Sequence, residues 1–251
     1  MASAADSVEF TTQVKVDSVN KCSATTTAGD TGSAWNITWK LDNAGQTNGS
    51  GTLDFGTAEK EPLEVKAHID AGPSACQLGK MSIAVDMGSA ESAGVTSAAY
   101  RSATMDGYWR YMPVVANVKL YTDTAYATAT ANAVTVKGAD AADYVVGSTA
   151  VHNAQMEIAP NANLNWGSIK AYVLSNGYMG ASGYAPLTFE AKSPAVTWTQ
   201  GGTPDKIKSV IVGVSSIIAA NPEKQDGSVY LDAVNDTEVV NMPFTVNVTY
   251  F

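Results

Sequence analysis

Leu63-Glu64-Val65-Lys66-Ala67-His68-Ile69 decides the fold class. Its apolar residues fall at every second position. In an extended backbone Leu63, Val65, Ala67 and Ile69 line one face, and Glu64, Lys66 and His68 line the other. The same period of two returns on both sides. Trp35, Ile37, Trp39 and Leu41 alternate with Asn36, Thr38 and Lys40, and Met81, Ile83, Val85 and Met87 form another run. Residues 114–121, 134–136, 169–174, 196–198, 207–214 and 229–231 read as further strands. Asn43-Ala44-Gly45, Asn48-Gly49, Ala71-Gly72-Pro73, Lys137-Gly138, Asn176-Gly177 and Gly201-Gly202 supply turns between them. The Ala-rich stretches 89–100 and 122–133 carry enough Thr, Ser and Gly to argue for loops rather than helices. The expectation is an all-β chain.

Composition narrows the function. Charged residues make up 16% of the 251, below the roughly 25% of an ordinary soluble domain. The net charge of −9 argues against nucleic acid and anionic membranes, which need clustered Lys and Arg. No apolar run approaches the ~20 residues of a membrane-spanning helix. Met1-Ala2-Ser3-Ala4-Ala5-Asp6-Ser7 reads as the small-residue remnant around an export cleavage site. The two cysteines, Cys22 and Cys76, are expected to form a disulfide, with free buried thiols and a metal site as the alternatives. Closing a loop of that span stabilises by roughly 4 kcal/mol in the chain-entropy model. The bond implies the periplasm, the cell surface or secretion.

Signals for chemistry are sparse. No nucleophile elbow, P-loop, dinucleotide fingerprint or zinc-protease helix motif is present. A triad would have to recruit His68 or His152, and His68 is expected as an exposed strand residue. Asp140 and Asp143 are too few for a calcium loop and read as solvated carboxylates. Neither catalytic residues, metal ligands nor a cofactor are assigned. Acceptor patterns for N-glycosylation at Asn36, Asn48, Asn235 and Asn247 are uninformative in a chain so rich in Asn and Thr. Two aromatic groups stand out: Tyr108-Trp109-Arg110-Tyr111, and Tyr172, Tyr178 and Tyr184 in a Gly-rich stretch. Such rings stack on sugars or anchor interfaces, or else fill the core and cover the edges of a sandwich.

The two ends carry the remaining signal. Val8-Glu9-Phe10-Thr11-Thr12-Gln13-Val14-Lys15-Val16 alternates and leads to Cys22, with Cys76 several tens of residues later. The chain stops at Phe244-Thr245-Val246-Asn247-Val248-Thr249-Tyr250-Phe251, an alternating strand with a penultimate aromatic. In this order the features resemble a chaperone–usher fimbrial subunit. The length is similar to that of the large adhesive major subunits of some enterotoxigenic fimbriae. The resemblance covers roughly the first 85 and last 15 residues, and Val8 to Val16 lacks the Gly often found in the family's donor segment.

The resemblance implies an immunoglobulin-like β-sandwich that is incomplete and is completed by a donor strand, with an enlarged middle insertion at about 90–200. Residues 1–16 would be the donor-strand extension and 17–251 a single pilin domain. A nine-residue segment at ~3.3 Å per residue spans about 30 Å, the length of a sandwich. Val8, Phe10, Val14 and Val16 would enter a neighbour's groove, unless they form an ordinary first strand of their own fold. Phe244, Val246, Val248 and Tyr250 would meet the chaperone or the next subunit. Implied partners are other copies or related subunits, a periplasmic chaperone, an outer-membrane usher and a host glycan receptor. The implied location is the cell surface, reached through the periplasm. Receptor-binding candidates are Trp109, Arg110 and Tyr111, with Tyr178 and Tyr184 as a second patch. The alternative reading is a stand-alone lectin-like sandwich. A hydrolase on a β scaffold is a third and is not favoured.

Overall fold

The computed structural model describes residues 5–9, 12–18, 24–30, 36–42, 50–54, 61–70, 76–78, 81–86, 91–92, 98–101, 108–137, 143–146, 150–151, 157–158, 171–175, 177–180, 187, 196–224, 228–229, 239–241 and 244–250. Among these the chain is all β, with no helix. In chain order the strands are β1 (Ala5–Glu9), β2 (Thr12–Ser18), β3 (Ala24–Ala28), β4 (Asn36–Asp42), β5 (Ser50–Asp54), β6 (Leu63–Ile69) and β7 (Met81–Asp86). Next come β8 (Glu91–Ser92), β9 (Ala98–Arg101), β10 (Tyr108–Tyr121), β11 (Val134–Lys137), β12 (Asp143–Val145), β13 (Ala150–Val151) and β14 (Glu157–Ile158). The last are β15 (Ala171–Val173), β16 (Met179–Gly180), β17 (Thr197–Gln200), β18 (Ser209–Ala219), β19 (Val239–Asn241) and β20 (Phe244–Tyr250).

β18 organises the largest sheet, and all of its residues are buried. β10 runs antiparallel along one flank, from Tyr111 beside Ile218 to Tyr121 beside Ser209. The other flank is shared between β6, beside residues 209–214, and β15, beside residues 217–219. A strand covered on both faces needs a continuous apolar run rather than alternation. Val210-Ile211-Val212-Gly213-Val214 and Ile217-Ile218-Ala219 supply one. Each Val or Ile buried there contributes roughly 1.5–3 kcal/mol. Ser215 interrupts the run, and its hydroxyl lies 2.6 Å from Ser175 Oγ, which donates to the Gly177 carbonyl at 2.8 Å. Leaving such a buried hydroxyl without a partner would cost about 1–3 kcal/mol.

A β-bulge between Val115 and Asn117 moves the alternation of β10 by one position. Beyond it, Val118 and Leu120 share a face with Val210 and Val212, and with Val65 and Ala67 of β6. Before it, Met112 and Val114 lie on the opposite face, in a cluster with Ala171, Val173, Tyr178, Ile217 and Ala219. Pro113 is tolerated in this long strand for a geometric reason. Val115, two residues on and pointing the same way, donates its N–H away from β18 to the Leu187 carbonyl at 2.9 Å. The missing N–H of Pro113 therefore faces the flank that β9 has already left, since β9 stops pairing at Tyr111.

The chain ends lie side by side. β1 runs parallel to β19 and β2 runs parallel to β20, whereas every other ladder is antiparallel among the described residues. The spacing in sequence between partners is the same in both halves. The two ladders therefore share one offset, with Ser7–Glu9 beside Val239–Asn241 and Thr12–Ser18 beside Phe244–Tyr250. The pair changes sheets between Glu9 and Thr12. In the sheet ordered β19-β1-β4-β5 the N-terminal strand is interior, and in β2-β20-β7 it is the edge.

β6 matches its expected pattern residue for residue, with Leu63, Val65, Ala67 and Ile69 buried and Glu64, Lys66 and His68 half-buried. Cys76 is buried and disulfide-bonded, while Cys22 lies outside the described residues. The Lys208 ammonium donates to the Cys76 carbonyl, and the Leu78 N–H donates to the Ile207 carbonyl at 2.8 Å. These bonds fasten the cysteine segment to the entrance of β18.

Two differences from the sequence reading stand out. β10 begins at Tyr108 rather than Val114, because Arg110 and Pro113 break the apolar pattern that marks a strand. β8 and part of β9 form within 89–100, a stretch expected as loop. β10, which lies within residues 90–200, is interior to the largest sheet.

Candidate functional site

At the chain ends, Val8 falls in β1 and Val14 and Val16 in β2, while Phe10 lies outside the described residues. Phe244, Val246, Val248 and Tyr250 alternate along β20, and Val246 is fully buried. β20 has β7 antiparallel on one flank, from Thr245 beside Asp86 to Tyr250 beside Met81, and β2 on the other. Residues 8–9 and 12–16 thus lie in two different sheets of their own chain.

The expected receptor patch is corrected by burial. Trp109, Tyr111 and Tyr178 are 0% exposed, so none offers a ring face to a ligand. In β10 Tyr111 stands beside Ile218 of β18 and Ala98 of β9, Trp109 stands beside Tyr100 of β9, and both rings belong to the core. Tyr184 lies outside the described residues. Arg110 is engaged: its Nη2 donates to Glu223 Oε2 at 2.6 Å. Glu223 is buried, and its backbone exchanges hydrogen bonds with Tyr108 at 2.8 and 2.9 Å. Burial pushes the Glu223 carboxyl above its ordinary value, and the charge and hydrogen bond of Arg110 pull it back. Arg110 clamps the segment after β18 to the start of β10.

A polar cluster that the sequence reading missed sits on the outer face of β6. Asp123, just after β10, accepts the N–H groups of Ala125 at 2.8 Å, Ala127 at 3.1 Å and Thr128 at 2.6 Å. Hydrogen bonds from Ala127 and Thr128 hold its carboxyl below the ordinary carboxylate value. The Ser209 hydroxyl donates to the Asp123 carbonyl at 2.6 Å. The loop so fastened holds Tyr126 at a φ of 58°, a left-handed conformation that costs a bulky residue roughly 1–3 kcal/mol.

The Tyr126 ring lies against three side chains. It meets Tyr121 edge-on at 5.9 Å and His68 at 6.0 Å, and the Lys66 ammonium stands 5.8 Å from its centroid. Lys66 pairs with Asp30 at 2.6 Å, and that bond holds its ammonium above the ordinary value. His68 Nδ1 is 3.1 Å from the Tyr126 hydroxyl, and its Nε2 is 3.6 Å from Asp70, which accepts the Thr25 hydroxyl at 2.7 Å. The available signals were Asp123, a residue that ties turns together, and an aromatic inside a polar stretch. His68 does lie on the face opposite Val65 and Ala67, but half-buried beneath this loop rather than open to solvent.

Among the described residues, no group of three His, Cys, Asp or Glu side chains converges to hold a metal ion. Comparison with protein-family models, with curated proteins and with solved structures finds no match to this chain.

Proposed function

We propose that the chain is a structural subunit of a bacterial surface fimbria, an incomplete immunoglobulin-like sandwich that polymerises by strand donation between copies. The observation that carries this reading is the pairing of β20 with β2, a strand supplied by the opposite end of the chain. A flank closed by one segment of a chain can equally be closed by the same segment of another copy, because backbone hydrogen bonds recognise any extended segment of matching pattern. Val246 lies at the centre of β20, where loss of the flanking strand would expose core. The alternating Val14 and Val16 suit such a position. Partners in this reading are further copies or related subunits, with a periplasmic chaperone and an outer-membrane usher guarding the open flank until assembly on the cell surface. Adhesion through Trp109, Tyr111 and Tyr178 is not included, since those rings are core.

Strand capture in trans tests the proposal. A chain lacking residues 1–18 is mixed with a labelled peptide of residues 5–18, and the full-length chain is refolded at high concentration. The expected result is peptide capture with a rise in Tm, and detergent-resistant oligomers of the full-length chain. Absence of capture, together with a full-length chain that stays monomeric, would overturn it.

A further inference from the structure

We propose that the slot between the open flank of β10 and the connection to β11 binds a short-chain monocarboxylate. The head group sits on Lys119 and the strand amides beside it, and the tail lies against Ala133, Val134 and Val146. The site is independent of the assembly reading. A cavity of about 280 Å³ lies there, lined by residues 118–121, 129–130, 132–134 and 146. Pockets for drug-sized molecules run from ~300 to 1,000 Å³, so the occupant of this one is small.

The slot exists because β10 outruns its neighbour. β9 pairs only with residues 108–111. Further along that flank, the Val115 N–H donates to the Leu187 carbonyl and the Thr130 N–H donates to the Leu120 carbonyl, both at 2.9 Å. Between these two ties no strand covers the flank among the described residues. The N–H and C=O of a strand residue point to one flank, and residues two apart share it. The N–H groups of Val118 and Leu120 therefore face the slot, and among the described residues no backbone acceptor meets either. The opposite wall is fixed in place. Gly201 donates to the Ala133 carbonyl and Val146 to the Val134 carbonyl, both at 2.9 Å. The Thr130 hydroxyl donates to Asp205 at 2.6 Å and accepts the Asn132 N–H at 3.2 Å.

The polar side of the slot is rich in donors: two strand N–H groups and the Lys119 ammonium. Lys119 is exposed and, among the described residues, pairs with no carboxylate, in a chain of net charge −9. An ammonium beside backbone N–H groups suits an anionic oxygen pair, which takes charge-assisted bonds from both. The apolar side supplies the rest of the fit. Val146 is left 38% exposed at the rim, and an aliphatic tail would cover it.

Hexanoate binding to the isotopically labelled full-length chain tests the site. It should shift the amides of Val118, Leu120 and Val146 saturably. Hexanol keeps the tail and loses the charge, and should bind ~10-fold more weakly. Acetate keeps the charge and loses the tail, and should also bind more weakly. Lys119→Met keeps the aliphatic stem and should bring hexanoate down to the level of hexanol, whereas Lys119→Arg should retain binding. Residue 119 is exposed, and matching amide spectra of the ligand-free chains establish that the fold is kept. The unmodified chain gives a result that needs no variant. Absence of saturable shifts at these amides, hexanol or acetate binding as tightly as hexanoate, or full hexanoate affinity in Lys119→Met would each overturn the site.

Discussion

Asn117 and Gly213 face each other across the β10–β18 pair, and the Asn117 amide occupies the space where a side chain at 213 would begin. A Cβ placed on Gly213 would come within 2.7 Å of Asn117 Nδ2, closer than real contacts allow. Gly213→Ala therefore has to displace that amide, at a cost of about 1–3 kcal/mol. Adding Asn117→Ala in the same chain should recover part of the loss. Urea unfolding of the two single variants and the double variant gives the coupling, expected at about 0.5–3 kcal/mol. Strictly additive effects would show that the two sites are independent.

Arg110 and Glu223 form a pair whose acid partner is buried. Arg110→Ala leaves that carboxylate uncompensated and should cost about 3–5 kcal/mol. The pH dependence follows from the direction of the shift. Glu223 is held above its ordinary value, so the folded chain binds this proton more tightly than the unfolded chain does. The stability penalty from Glu223 is present above that raised value and is relieved as the pH falls through it. Without Arg110 the shift grows. Thermal melts between pH 7 and 5 should show Arg110→Ala gaining stability on acidification relative to Arg110→Ala/Glu223→Gln. Parallel curves for the two would remove the assignment.

Trp109 is fully buried in β10, so Trp109→Ala should act on stability rather than on recognition. Truncating such a ring costs about 3–5 kcal/mol. Circular dichroism melts should show a large fall in Tm. A chain with unchanged Tm that had lost only a binding activity would restore the receptor reading.

Asp123 ties the loop before β11 through three backbone N–H groups. Its carboxyl is held below the ordinary value, so its contribution is present above the unfolded-state value and is lost as pH falls through the lower, folded one. Amide exchange at Ala125, Ala127 and Thr128 should quicken in Asp123→Ala at neutral pH. In the unmodified chain the same amides should loosen only in acid. Amides that exchange alike in both chains at neutral pH would show that the loop is held by other contacts.

Local alternation made β4, β6, β7 and β20 legible in advance, because side chains on an extended backbone change face at every residue and a half-buried strand records this directly. Residues 207–214 were legible for a different reason, since a strand covered on both faces is apolar throughout. Alternation assigns faces, however, and not neighbours. That the N-terminal segment pairs with β20, and parallel to it, depends on backbone bonds between residues at opposite ends of the chain. The burial of Trp109 and Tyr111 is a property of the packed chain, and an aromatic next to Arg and Gly reads the same in sequence whether its ring is covered or open. The cluster of Lys66, His68 and Tyr126 required Asp123 to fold its loop back over a strand more than fifty residues earlier in the chain. Periodicity is a property of a few consecutive residues and survives in the sequence. Pairing, enclosure and loop docking are set by contacts between distant segments, which only the folded chain brings together.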